Sequence, residues 1–168
     1  SVPDQDHSSK PGRLDLAVVV PTFNERENVA EIVRRLGVAL GSLKYEIVFV
    51  DDNSPDGTSD VVREQSEDHP QVRCVTRVGR RGLSSAAIEG IMATTAPVIA
   101  VIDGDMQHDE TLLPAMLDQL HDENSDVVVG SRYMEGGGFG EWSDRRRRMS
   151  EFATNMAKRL TGVELTDP

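Results

Sequence analysis

The residues that decide the fold are 98–108, which read Val-Ile-Ala-Val-Ile-Asp-Gly-Asp-Met-Gln-His. The first five are apolar and do not alternate with polar residues, which is typical of a central strand buried on both faces of a parallel sheet. The run then changes abruptly to acidic and polar residues. A buried strand that ends in carboxylates indicates an α/β protein with a ligand site at the carboxyl edge of its sheet.

Short β-branched runs alternate with longer amphipathic segments along the rest of the chain. Pro21 is expected to end the first strand, and Asn24 with Glu27 resembles a capping box for the first helix. Repeated strand–helix alternation predicts an α/β fold, a Rossmann-like three-layer sandwich with a mostly parallel sheet. The spacing predicts strands at 14–20, 45–50, 72–76, 98–102 and 127–130, and helices at 28–40, 58–68, 83–94, 111–121 and 145–160.

The composition is that of one soluble domain. The chain has 168 residues, of which 38% are hydrophobic and 28% charged, and this length suits a single core. A net charge of −11 argues against nucleic-acid binding, which needs a basic surface. Residues 1–13 are polar and predict a disordered lead-in without a signal peptide, so we place the domain at 14–168.

Two further features concern the cellular compartment. Cys74 is the single cysteine, which excludes a disulfide framework within one chain and favours a reducing compartment. The longest apolar runs are far shorter than the ~18 residues of a membrane span. We therefore expect a cytoplasmic protein with no transmembrane segment in this chain.

Polar clusters follow most of the predicted strands, at 22–25, 51–56, 103–109 and 131–133. Asp51 and Asp52 end the second strand, where acids accept hydrogen bonds from a ribose or a base in dinucleotide folds. Capping of a turn is the alternative role for this pair. The phosphate-binding glycine fingerprint is missing after the first strand, which disfavours nicotinamide cofactors and ATPases.

Asp103 and Asp105 form the sharpest chemical signal. Two carboxylates beyond a buried strand can converge on one hard cation, and Mg²⁺ and Mn²⁺ favour such oxygen ligands together with substrate phosphates. Gly104, between them, removes side-chain bulk where a diphosphate must approach. The carbonyl oxygen of Gln107 is a candidate third ligand; His108 is another candidate, although an exposed loop histidine is the favoured interpretation. A solvated Asp-Gly turn is the alternative for the pair.

A basic group follows in an otherwise acidic chain, made of Arg132 and the run 145–148. Guanidinium groups bind phosphate through a planar fork. Cations at the start of a helix oppose its dipole, and an anionic ligand there would relieve the conflict. Anionic lipid is a second partner for such a patch, and a solvated helix start is the alternative.

Five motifs occur in order along the chain: Pro-Thr-Phe-Asn-Glu-Arg-Glu-Asn at 21–28, Asp-Asp-Asn-Ser-Pro-Asp-Gly-Thr at 51–58, Gly-Leu-Ser-Ser-Ala at 82–86, Asp-Gly-Asp-Met-Gln-His at 103–108 and Gly-Ser-Arg-Tyr at 130–133. Together these motifs resemble glycosyltransferase family 2, the inverting transferases with a GT-A fold, and especially its polyprenol-phosphate sugar transferases of the dolichol-phosphate mannose synthase type. Two departures from the family pattern are Phe23, where tyrosine is common, and Gly104, where alanine is common.

The resemblance implies a role for each site residue. The nucleotide base and ribose would be lined by Pro21, Phe23, Glu25 and Asp52, with Gly82 and Leu83 near the donor. The divalent metal, Mg²⁺ or Mn²⁺, would be bound by Asp103, Asp105 and Gln107. The acceptor phosphate would be bound by Arg132, Arg146 and Ser150. The implied catalytic residues are Asp103, Asp105, Arg132 and Arg146.

The implied reaction is the inverting transfer of mannose from GDP-mannose to a polyprenyl or dolichyl phosphate, with peripheral contact to the cytoplasmic face of a membrane. One alternative is a UDP-sugar donor carrying glucose or N-acetylglucosamine. Another is an inactive nucleotide-binding or membrane-docking fragment, since the family motif that opens at Asp167-Pro168 continues further. We accordingly expect 14–168 to be a catalytic domain without its C-terminal part.

Overall fold

The computed structural model describes residues 13–122 and 126–130, within two compact units, 1–117 and 118–168. The first unit contains a parallel four-stranded sheet with strand order β3-β2-β1-β4. The elements in chain order are β1 (Leu16–Thr22), α1 (Val29–Leu40), β2 (Tyr45–Asp51), α2 (Thr58–Asp68), β3 (Val72–Thr76), α3 (Leu83–Met92), β4 (Ile99–Val101), a 3-10 turn (Glu110–Leu112) and α4 (Leu113–Asp122).

Alternate side chains of β1 enter two different cores. Val18 and Val20 belong to the larger cluster, where they share the interior with Phe49 and the apolar face of α1. Val19 points to the other side and packs in a smaller cluster with Ala86 of α3. Every residue of β1 is buried, and β1 is one of the two inner strands of the described sheet. The predicted parallel sheet with helices on both faces is confirmed.

Pro21 lies inside β1, so the prediction that it ends the strand is wrong. The N–H of Ala17 and the carbonyl of Val19 bond towards β4, through Val98 and Ile102, and Pro21 faces the same side two residues later. β4 ends at Val101, opposite Val19. The missing N–H of Pro21 therefore falls beyond the last pairing of β4, where no ladder bond is lost.

β4 is shorter and more exposed than predicted. It covers Ile99–Val101 rather than 98–102, it pairs only with β1 among the described strands, and Val101 is 47% exposed. An apolar run indicates burial but does not say which neighbour supplies it. Residues 127–130, the predicted fifth strand, are described without strand structure. The predicted helix at 145–160 lies outside the described residues.

The helices follow the prediction closely except at their ends. The predicted α2 and β3 match the observed bounds. α1 begins at Val29 after Asn28, which makes no side-chain cap bond, so the capping box predicted at Asn24 is wrong. α3 ends at Met92, before Thr94, whose hydroxyl bonds the Glu46 carboxylate of β2. This contact between side chains distant in sequence ends the helix earlier than its apolar spacing suggested.

Gly90 is a point of very close approach between α3 and the sheet. A Cβ atom there would lie 2.2 Å from Val19 Cγ1 and 3.0 Å from Val50 Cγ2. We expect Gly90→Ala to lower the free energy of unfolding by about 1–3 kcal/mol, because overpacking of a close-packed core costs that much. Urea denaturation measures it. Gly37→Ala in α1 is the matched control: its Cβ would meet only the Tyr45 hydroxyl, at 3.6 Å, and a gain of up to ~1 kcal/mol is expected. Equal effects of the two changes would contradict this packing account.

Candidate active site

The loops after β1 and β2 are bonded to each other at the carboxyl edge of the sheet. The backbone N–H of Asn24 donates to Ser54 Oγ at 2.9 Å, and that of Glu25 donates to Thr58 Oγ1 at 3.1 Å. Asn24 has a left-handed φ of 58°, which asparagine tolerates better than most residues. The two loops therefore hold one another in place, and the motif at 21–28 depends on the motif at 51–58.

Asp51 and Asp52 are neighbours with different tasks. Asp51 is fully buried and accepts hydrogen bonds from Ser54 Oγ at 2.5 Å and Ser59 Oγ at 2.7 Å. Its carboxylate also accepts the Ser54 N–H at 2.9 Å, so it caps the turn after β2. The turn-capping alternative thus accounts for Asp51. Asp52 instead turns towards the loop before α3.

Asp52 forms a buried ion pair with Arg77, which follows β3. The Nε of Arg77 donates to Asp52 Oδ1 at 2.6 Å, and the two side chains are 0% and 8% exposed. The second oxygen of Asp52 accepts the N–H of Gly82 at 2.8 Å, while Arg77 also donates to the Gly82 carbonyl and to Ser85 Oγ. The pair thereby positions Gly82, at the start of α3, beside the end of β2. A contact of Asp52 with a nucleotide stays a prediction.

Arg77 was not among the residues that the sequence singled out. The sequence feature that could have identified it is its position: Arg77 directly follows β3, just as the polar clusters follow β1, β2 and β4. A lone arginine after a strand looks like a solvated end of that strand. Its burial became visible only with the fold.

The acidic cluster after β4 brings together Asp103, Asp105 and His108. One ligand atom from each lies within 4.8 Å of the others, and His108 Nε2 is 3.9 Å from Asp103 Oδ2. His108 was expected to be an ordinary exposed loop residue; it is about half exposed but lies beside the carboxylates. The backbone N–H of Gln107 donates to Asp105 Oδ1 at 3.1 Å. The two carboxylates suit Mn²⁺ or Mg²⁺, both of which favour oxygen ligands. An imidazole ligand would favour the softer Mn²⁺ over Mg²⁺, while Gln107 as ligand stays a prediction.

Glu25 and Asn28 connect this cluster to the loop after β1. Asn28 Nδ2 donates to Glu25 Oε2 at 2.6 Å and to the Gly104 carbonyl at 3.0 Å. Burial raises the pKa of Glu25; the hydrogen bond from Asn28 opposes this rise, and the negative charges of Asp105 and Asp103 add to it. A cation bound by the aspartates would offset this crowding of negative charge.

Gly104 is explained by packing rather than by space for a diphosphate. A Cβ atom there would lie 3.0 Å from Thr22 Cγ2 and 3.3 Å from Glu25 Cγ. The missing side chain therefore faces the protein, so the interpretation that it makes room for a ligand is wrong. The close approach fixes the acidic loop against the end of β1.

The other predicted donor residues also lie at this edge. Pro21 is buried in β1, while Phe23 is 41% exposed and has the Arg81 guanidinium over its ring, 4.5 Å from the centroid. Gly82 has a φ of 127°, and Leu83, the first residue of α3, is 57% exposed. The predicted acceptor residues Arg132, Arg146 and Ser150 lie outside the described residues.

A profile of the family described as Glycosyl transferase family 2 matches residues 17–167. The chain belongs to glycosyl transferase family 2. The match extends over all the motifs that carried the predicted resemblance, from 21–28 to 130–133. The predicted family membership is confirmed.

Two curated family relatives carry the same description, dolichol-phosphate mannosyltransferase. The one from Pyrococcus furiosus is 39% identical over 140 residues, which is 83% of this chain and 39% of the relative. The one from Saccharomyces cerevisiae is 33% identical over 152 residues, 88% of this chain and 56% of the relative. The chain thus spans between about two fifths and three fifths of the length of these relatives.

Solved structures confirm the GT-A fold. A glucosyl-3-phosphoglycerate synthase from Mycobacterium tuberculosis superposes with a TM-score of 0.64 at 18% identity, over 94% of this chain and 54% of that one. A mannosyltransferase from Pyrobaculum calidifontis, solved in complex with GDP-Man and Mn²⁺, superposes with a TM-score of 0.56 at 28% identity, over 66% of this chain and 33% of that one. None of the described helices has the length and apolar character needed to cross a bilayer.

Proposed function

We propose that the protein containing this chain transfers mannose from GDP-mannose to a polyprenyl or dolichyl phosphate with inversion at the sugar. The observation that carries the proposal is the convergence of Asp103, Asp105 and His108 at the end of β4 in a family 2 chain. The descriptions of the two relatives as dolichol-phosphate mannosyltransferases support the choice of mannose and of a lipid phosphate.

The acidic cluster would hold Mg²⁺ or Mn²⁺. Asp103 and Asp105 would provide carboxylate oxygens, and His108 or Gln107 would complete the protein ligands. A divalent cation held there supplies the positive charge that stabilises the departing diphosphate. The complex of the Pyrobaculum calidifontis mannosyltransferase with GDP-Man and Mn²⁺ supports this assignment.

The nucleoside would lie along the sheet edge next to this cluster, against Phe23 and the loop that Asp52 anchors. Asp52 and Arg77 are paired with each other in the interior. Their role would therefore be to position Gly82 and Leu83 against the donor. Glu25, held by Asn28, borders both the cluster and the nucleoside. These side chains bind and orient the donor.

The acceptor phosphate needs little activation. The second pKa of a phosphate monoester is about 6, so the group is largely dianionic near pH 7 and requires no strong general base. Arg132, Arg146 and Ser150 would position it for a single in-line displacement, which inverts the anomeric carbon. The support for this acceptor site is the sequence resemblance and the basic composition of 145–148.

Peripheral contact with the cytoplasmic face of a membrane follows from the lipid acceptor as part of the proposal. Each basic residue near an anionic surface contributes about 1 kcal/mol, and the run 145–148 contains four arginines. A docking or nucleotide-binding role without turnover is the alternative for the chain by itself, because it spans 39% of one relative and 56% of the other.

The donor base is tested by calorimetric titration of the 168-residue chain with GDP and with UDP, each in the presence of Mn²⁺. We expect GDP to bind about tenfold or more tightly than UDP, a difference of about 1.4 kcal/mol. Tighter binding of UDP would show that the donor is a UDP-sugar, such as UDP-glucose or UDP-N-acetylglucosamine, and not GDP-mannose. Failure of both nucleotides to bind would overturn the proposed function of this site.

A further inference from the structure

Arg81 and Phe23 form a cation–aromatic contact at the carboxyl edge of the sheet. The guanidinium carbon of Arg81 lies 4.5 Å from the centroid of the Phe23 ring, close enough for the ring quadrupole to attract the cation. Phe23 directly follows β1, and Arg81 lies in the loop between β3 and α3. The contact therefore joins two loops at the edge that also carries the acidic cluster.

Two adjacent arginines in this loop have different partners. Arg80 forms an ion pair with Glu89 at 2.7 Å. Within residues 13–122 and 126–130, Arg81 forms no ion pair; its side chain is exposed and lies over Phe23. A guanidinium over a ring keeps the N–H donors of its perimeter for another partner. The charge of Arg80 is thus paired with an acid of the same chain, whereas the exposed guanidinium of Arg81 has no described acid beside it.

The loop that carries Arg81 is held at its C-terminal end, at Gly82. Its glycines, Gly79 and Gly82, adopt φ of 74° and 127°, and Gly82 is bonded through its N–H to Asp52 and through its carbonyl to Arg77. Arg81 therefore sits next to a fixed point of the backbone, and Phe23 restrains its side chain. An arginine restrained in this way loses less conformational entropy when it binds a ligand.

The loop that carries Arg81 and the acidic cluster follow different strands of the sheet. The carboxylates follow β4 at one end of the order β3-β2-β1-β4, and Arg81 follows β3 at the other end. Since β4 is an end strand of the described sheet, a nucleoside bound over the sheet edge with its diphosphate at the carboxylates would extend towards β1, β2 and β3. A base that extends from the cluster over Phe23 would therefore meet Arg81, whose guanidinium lies over that ring.

We propose that Arg81, restrained by Phe23, recognises the donor base through two acceptors and selects guanine over adenine. The inference rests on the proposed function, since it takes the nucleotide to bind at this edge. Guanine presents O6 and N7 as adjacent acceptors, which match the donor fork of arginine, whereas adenine presents an amino donor beside N7. Arg81 is thus a specificity residue of the donor site.

The test is calorimetry of the 168-residue chain with Mn²⁺ and four probes: GDP, IDP, ADP and inorganic pyrophosphate. IDP retains the O6 and N7 acceptors of guanine, and pyrophosphate has no base. Arg81→Gln is expected to weaken GDP and IDP by about 5- to 10-fold, the lower range for a bidentate base contact, and to leave ADP and pyrophosphate unchanged. Arg81→Lys keeps the charge without the fork and should lose as much.

Arg63→Gln is the matched control, since Arg63 is exposed on α2 and pairs only with Asp60 among the described acids; it should change none of the four affinities. Unchanged GDP binding by Arg81→Gln would overturn the inference and leave the proposed function standing. An equal loss for pyrophosphate, or full GDP binding by Arg81→Lys, would also overturn it, because Arg81 would then act by charge alone. A wild-type chain that binds no nucleotide would overturn the proposed function as well.

Discussion

Asp105→Asn is expected to lower the Mn²⁺-dependent affinity of the chain for GDP by about 100-fold or more. Residues that merely orient metal ligands are worth about 10- to 100-fold in metal affinity, so loss of a direct carboxylate ligand reaches at least the upper end. Asp105 is exposed, and the change removes one charge without altering size. The fold should therefore survive, and the loss should be confined to the metal and to whatever binds through it.

The measurement is a titration with GDP with and without Mn²⁺. Asp68→Asn is the matched control. Asp68 is an exposed acid at the end of α2, so the substitution removes the same charge at a position away from the cluster. Its GDP affinity should equal that of the wild-type chain. The metal site after β4 would be disproved if Asp105→Asn bound GDP with the same dependence on Mn²⁺ as the control.

His108→Ala serves as a second reading of the same site. If His108 is a metal ligand, the variant binds Mn²⁺ more weakly than the wild-type chain. If the Gln107 carbonyl completes the site instead, the Mn²⁺ affinity of the variant stays near the wild-type value. The two outcomes distinguish the third ligand, because only His108 groups with the aspartates among the His, Cys, Asp and Glu side chains described.

Arg77→Met is expected to lower the free energy of unfolding by about 3–5 kcal/mol. The substitution keeps the approximate length of the side chain but removes the positive charge beside Asp52. Breaking a buried ion pair from one side has this cost because the remaining charge stays desolvated without a counter-charge. The side chains of Arg77 and Asp52 are 0% and 8% exposed, so solvent cannot take the place of the guanidinium.

Urea denaturation of the chain measures this loss, with the exposed pair Arg63–Asp60 as comparison. Arg63→Met should cost no more than about 1 kcal/mol, since surface ion pairs contribute little. Adding Asp52→Asn to Arg77→Met should recover part of the loss, because no unpaired charge then remains inside. A loss for Arg77→Met as small as that for Arg63→Met would show that Asp52 is solvated in solution.

Most of the secondary structure could be predicted because it depends on local spacing. α2 and β3 have the predicted bounds, and α1 differs from the prediction by one residue. The errors occur where a group distant in sequence decides where a strand or helix ends. Pro21 remains in β1 because β4 ends before it, and Thr94 leaves α3 because the Glu46 carboxylate of β2 holds its hydroxyl.

The sequence by itself determined the alternation of strands and helices and the acids at the strand ends. The spacing of apolar residues and the polar residues that end each element are properties of residues close together in the chain. From these it located Asp103 and Asp105 at the carboxyl edge. Only the tertiary structure showed that His108 joins them, that Arg77 is buried against Asp52, and that Arg81 lies over Phe23. The last two contacts join residues more than 20 positions apart, and such contacts depend on how the strands are ordered and how their loops pack.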